Sequence, residues 1–340
     1  MDPDGPRDAA FGATPGADVF AAVSDTEEGA GADAGGGAGE SATGGPVVAP
    51  RARWLAAVTL GGQGHYAAAA AVLRGLLAHP RPLWASLAAS TLASHRRQLG
   101  AHAAARPLDA MALRKAAEAE GSGAPPDRDG VDAAGARCDA LVGLAADALG
   151  LGRLAAAERL LSAASAGHGA TGSWRSAVRL SWVRAELELA SGRPDAAIGP
   201  ARDAVQRSGG GVRHTAKSRL VLAAALAASG HRDEPDELLH ELVVDLARHG
   251  QVPLRWAAEL VLADLHIGTE HGAAHRGVAL RALRVALRRA DVPLRTAAES
   301  SLWVPSGVLQ SGDSAERSSA GEIHDEICTG LCQVSTPRDR

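Results

Sequence analysis

Apolar residues recur at spacings of three and four along most of residues 50–303, the interval that keeps one face of a helix apolar. Leu180, Val183, Leu187 and Leu189 surround Ala185 in one run, and Leu220, Leu222 and Leu226 surround Ala223 in the next. A Ser229-Gly-His231 turn then leads into Leu238, Leu239, Leu242 and Leu246, again at helical spacing. Each first run of a pair is followed by a glycine: Gly64, Gly100, Gly152, Gly192, Gly230 and Gly268. Glycine at that place predicts a turn whose backbone needs positive φ. The sequence Arg193-Pro-Asp195 opens a second helix, because proline near a helix start removes an N–H that has no helical partner.

The alanines recur with the glycines. Ala57, Ala93, Ala145, Ala185 and Ala223 lie seven residues before the first five glycines, and Ala69, Ala105, Ala157 and Ala197 lie five after the first four. Ala112, Ala164 and Ala204 lie twelve residues after the second, third and fourth. Small residues at fixed offsets predict helices in close approach. The glycine spacings are 36, 52, 40, 38 and 38 residues, periods of a two-helix repeat. These features predict an all-α chain, an α-solenoid of five to six antiparallel helical hairpins. The long gap holds Glu120-Gly-Ser-Gly-Ala-Pro-Pro-Asp-Arg-Asp-Gly130, which cannot continue a helix and predicts a loop insertion over about 119–136. Gly209-Gly-Gly211 reads as a connection between the fourth and fifth units. The sixth unit has a longer turn and is expected to be a degenerate cap.

Composition changes the picture at the ends. Residues 1–48 carry nine acidic side chains against the single Arg7 and almost no large apolar residues, which predicts a disordered acidic Gly/Ala-rich head. Residues 304–340, rich in Ser, Gly and charge, read as a disordered tail. The folded domain is expected over 50–303, with the possibility that the acidic head folds back on a basic groove. No stretch approaches a membrane span and the start lacks a secretory pattern, so a cytoplasmic protein without a membrane partner is expected. Three cysteines, an odd count, argue against a disulfide framework. A net charge of −4 selects neither nucleic acid nor lipid.

The small residues before and after each turn glycine resemble the tetratricopeptide repeats, most closely at Ala145, Gly152, Ala157, Ala164 and Ala185, Gly192, Ala197, Ala204. The resemblance covers most of residues 51–291 and is divergent, with a longer period and mostly unfilled aromatic and closing-proline positions. It implies a superhelix whose first helices line a concave groove for peptide segments of other proteins. Carried over by offset, the groove residues are Arg51, Trp54, Ser94, Arg97, Gln98, Arg179, Trp182, Glu186, Lys217 and Arg255. Arg179, Lys217 and Arg255 share one offset and form a basic ladder beside Trp182. Such a ladder would suit an acidic or carboxylate-ended peptide. Solvated charges and a core tryptophan fit the same pattern.

The expected function is a non-catalytic protein-interaction adaptor, with no cofactor and an unidentified protein or peptide partner. The alternative is a ligand- or partner-sensing module like the helical-repeat half of bacterial transcription regulators. A third reading, nucleic-acid binding, would use Arg276, Arg281, Arg284, Arg288 and Arg289 of the last helix. His240-Glu241 begins a zinc-protease pattern, but Val244 stands where the second histidine is required. In the tail His324, Cys328 and Cys332 recur every four residues, a weak metal-binding candidate.

Overall fold

The computed structural model describes Arg7, Ala10 and residues 49–121, 125–168, 172–209, 211–305 and 308 of the 340. Thirteen helices run in order over the main body: α1 Pro50–Gly62, α2 Tyr66–Leu77, α3 Pro82–Arg97, α4 His102–Glu120, α5 Ala133–Gly150, α6 Leu154–His168, α7 Trp174–Ala190, α8 Pro194–Arg207, α9 Val212–Ala228, α10 Asp233–Arg248, α11 Val252–Leu265, α12 Glu270–Arg288 and α13 Val292–Glu299. They form six hairpins and a terminal helix, and no strand occurs among the described residues.

The six turn glycines do what the spacing predicts. Gly64, Gly100, Gly152, Gly192, Gly230 and Gly268 all have φ between 69° and 84°. At the first five, the residue after the glycine donates its N–H to the carbonyl five residues back: His65 to Leu60 at 2.8 Å, Ala101 to Arg96 at 3.0 Å, Arg153 to Ala148 at 2.8 Å, Arg193 to Glu188 at 2.9 Å and His231 to Leu226 at 3.1 Å. This bond closes the helix end and fixes the angle at which the next helix leaves. The sixth turn differs: Thr269 bonds back only three residues, to His266 at 3.1 Å.

Each helix from α1 to α11 packs on the next, and each odd-numbered helix from α1 to α9 also packs on the odd-numbered helix that follows it. The odd helices are therefore sandwiched. Alanine lets them approach: Ala57, Ala93, Ala145, Ala185 and Ala223 have no exposed surface. Helix α7 buries nine residues, whereas α8 buries only Ala197, Ala201 and Ala204, the spacing of one narrow stripe. Even helices form the outer layer.

Two features were not expected. The chain's end packs on its beginning: Leu283, Leu287, Leu294, Ala298, Val304 and Val308 share a core with Tyr66 and Leu99. The Ala67 N–H donates to Arg289 O at 2.8 Å, and Arg74 pairs with Asp291. Gly100 needs its missing side chain here, since a Cβ would stand 2.6 Å from the Trp303 Cβ. The folded body thus passes residue 303 to include Val304 and Val308. At the other end, Arg7 of the head pairs with Asp129 at 2.8 Å, and Ala10 is buried in the core of the first units. The acidic residues of that head lie outside the described residues.

The insertion is ordered by carboxylates. Asp127 accepts N–H bonds from Asp129 and Val131, and Asp132 caps α5 by accepting from Gly135 at 2.7 Å. Arg51 of α1 and Trp174 and Arg175 of α7 clamp the loop from two helices.

Candidate functional site

The inner face is built from α7, the first two turns of α9 and the last turns of α1 and α3. Arg179 pairs with Asp139 at 3.3 Å, an aspartate already held by buried Arg175 at 2.6 Å. Lys217 of α9 pairs with Glu186 at 3.4 Å and lies 4.7 Å above the Trp182 ring. Trp182 is 8% exposed, donates to Ser218 Oγ at 2.8 Å and stacks on His214. Burial lowers the Lys217 ammonium below its ordinary range, with Arg213 and Arg179 adding to that shift and Glu186 opposing it. Lys217 nonetheless keeps 31% of its side chain accessible.

Arg213, which the sequence offsets did not select, completes the group. Its Nη2 reaches Gln98 Oε1 at 3.5 Å, the oxygen that also accepts from Tyr66 at 3.2 Å. It forms no ion pair with a carboxylate among the described residues, and its buried Nη1 has no hydrogen-bond partner there. Burial, then the charge of Arg179, lowers its pKa, although Tyr66 opposes this. Arg213 crosses from the fifth unit to the first, where its Cδ would stand 3.2 Å from a Cβ on Gly62. Nearby His95 is held neutral, its pKa lowered to about 3 by burial and by Arg213 and Arg97. It packs so tightly on α1 that a Cβ on Gly61 would overlap its ring.

The other sequence-selected residues divide in two. Gln98, Arg179 and Lys217 lie near Arg213, and Trp182 and Glu186 join them through Lys217. Trp54 is 2% exposed, a core side chain donating to Thr91 Oγ1 at 2.9 Å, with Arg175 over its ring. Ser94 donates to Thr91 O within its own helix. Arg51 is bound to Asp127 of the insertion at 2.9 Å, and Arg255 is paired along α11 with Glu259 at 3.4 Å. Arg97 is bonded to both Asp109 and Asp147, two carboxylates with no exposed surface. Burial raises the pKa of each, Asp147 to about 7, because one guanidinium cannot compensate two buried charges. These three residues are a structural knot between α3, α4 and α5.

The basic stripe on α12 is also partly committed. Arg276 pairs with Asp264 at 3.6 Å and Arg289 donates to Gln63 O, leaving Arg281 and Arg288 exposed. Cys138 is buried and its thiol is pushed up to about 11 by burial and by Asp139, the opposite of nucleophile activation. His324, Cys328 and Cys332 lie outside the described residues. Two clefts of about 200 and 320 Å³ occur on other surfaces, between α9 and α10 and between α6 and α7, and neither contains Arg179, Arg213 or Lys217. No described helix is long and apolar enough to cross a membrane. Set against protein-family models and curated proteins, the chain matches none.

Proposed function

We propose that this protein is a non-catalytic interaction scaffold whose inner face binds an acidic or carboxylate-ended segment of a partner protein. The observation that carries the reading is the cluster of Arg179, Arg213 and Lys217, in which Arg179 pairs with Asp139, Lys217 with Glu186, and Arg213 has no carboxylate ion pair among the described residues. Burying a guanidinium without a counter-ion costs stability, and an incoming carboxylate would relieve that cost with bidentate, charge-assisted bonds. Trp182 supplies an aromatic wall, and Lys217 already lies over it.

Titrating short acidic peptides, each with a free carboxyl or an amidated end, into the full chain tests this. The acidic peptides should bind with affinity that falls as salt rises, and Arg213→Gln should weaken them by at least about tenfold. Arg255→Gln, whose charge is already paired along its own helix, should change binding less. Absence of peptide binding at low salt, or equal affinity for wild type and R213Q, defeats the proposal. The sensing-module alternative draws support from one feature, the contact of α12 and α13 with α2, because a contact between chain ends can open or close with a bound ligand.

A further inference from the structure

Outside the inner face, four histidines meet at the junction of α10, the end of α11 and the start of α12. The rings of His240, His266 and His275 lie mutually close, with centres 5.5 Å apart for His240 and His275, 6.1 Å for His240 and His266, and 6.2 Å for His266 and His275. The ring centre of His271 stands 6.4 Å from that of His266. Imidazoles that share one tetrahedral ion at about 2.0–2.1 Å place their ring centres about 5 Å apart, so these three stand near that arrangement. Asp236 joins them: potential ligand atoms of Asp236, His240 and His266 all lie within 4.8 Å of one another.

Hydrogen bonds orient the rings for this chemistry. His240 Nδ1 is 2.9 Å from Asp236 O, a carbonyl that can only accept, so Nδ1 carries the hydrogen and Nε2 presents a lone pair. His275 Nδ1 is 2.7 Å from the Glu259 carboxylate, which fixes the same tautomer and leaves its Nε2 open. Glu259 is in turn held by Arg255. His266 Nε2 and Asp236 Oδ1 are 2.6 Å apart, two ligand atoms sharing one hydrogen. An ion bound there displaces that hydrogen, which Nδ1 of the same ring can hold, while the two atoms separate toward about 3.3 Å.

The backbone that brings these residues together is the one turn that departs from the repeat. His266 ends α11, its carbonyl accepts from both the N–H and the hydroxyl of Thr269, and α12 begins at once. Gly272 permits this, because a Cβ there would stand 2.2 Å from His266 O. The tight approach places His275, one turn further on, beside His266.

We propose that Asp236, His240 and His266 form a binding site for a divalent transition-metal ion of the class that prefers imidazole, with zinc as its occupant, and that His275, whose ring centre lies 5.5 Å from that of His240 but outside the closest set of ligand atoms, moves in as the fourth ligand. Three neutral nitrogens and one carboxylate are a ligand set suited to zinc, and Glu259 acts as the carboxylate that orients His275. The site lies between the fifth and sixth hairpins, so an ion there would tie the atypical sixth turn to α10.

Zinc alone, titrated into metal-free full chain, provides the test, with cobalt as a spectroscopic reporter. One equivalent should bind, and the cobalt adduct should show tetrahedral d–d bands without thiolate charge transfer. Replacement C328S/C332S should leave both unchanged. His240→Ala, at an exposed side chain, should weaken zinc binding by more than about tenfold without altering the helical signal, and E259Q by about 10–100-fold. Zinc binding unchanged in H240A/H275A, thiolate bands from cobalt, or no zinc bound to the wild-type chain would each overturn the site.

Discussion

At the scale of single residues, two buried carboxylates around Arg97 carry the clearest consequences. Arg97→Ala leaves Asp109 and Asp147 buried without a counter-charge and should cost about 3–5 kcal/mol in urea unfolding. The pH dependence has a definite sign. Asp147 has a folded pKa of about 7, above its unfolded value, so between about pH 4 and 7 the folded chain holds more protons than the unfolded one. This group's contribution to stability therefore declines as pH rises through that window. Asp147→Asn removes the titration, so the stability of D147N relative to wild type should increase from pH 4 to 7.5; parallel curves would refute the assignment. Trp54 and Trp182 mark the limit of residue-level reading. Both occupy the same repeat offset and both are buried with a cation over the ring, yet Trp54 bonds Thr91 beneath buried Arg175 while Trp182 bonds Ser218 beneath the partly accessible Lys217. Offset alone does not say which inner residues the neighbouring units cover.

At the scale of elements, the glycine and alanine code was legible because it records local demands: a positive φ at each turn and a small side chain at each helix crossing. Gly152 and Gly100 have nearly equal φ, 70° and 71°, but a Cβ at Gly152 meets nothing within 4 Å while one at Gly100 collides with Ser301 and Trp303. Gly152→Ala should then cost only the left-handed strain of about 1–2 kcal/mol. Gly100→Ala should cost about 1–3 kcal/mol more by overpacking the closure, measured by thermal or urea unfolding. Equal costs would mean that residues 301–303 do not press on the second turn. The histidine cluster was illegible for the opposite reason. His240 fails a local motif because Val244 replaces the second histidine, and its companions arrive from α11 and α12 through packing that no spacing within one helix encodes.

At the scale of the whole molecule, contact between the ends separates this chain from a solenoid in which each unit touches only its neighbours. Periodicity could not reveal it, since Tyr66 and Leu99 carry no mark in the sequence that points to Leu294 or Val304. A chain ending at Asp291 should exchange amide hydrogens faster in α2 and around Leu99 as well as near its new end; unchanged protection there would show the first unit to be self-sufficient. Arg213 of the fifth unit reaches Gln98 of the second, in the same cluster as the partly accessible Arg179 and Lys217. The chain has only two lysines, Lys115 on outer α4 and Lys217 on the inner face. Carbodiimide coupling of a bound acidic peptide, followed by mass spectrometry, therefore tests the central claim: the account predicts peptide carboxylates joined to Lys217 in preference to Lys115, and coupling at Lys115 alone, or at neither lysine, would contradict it.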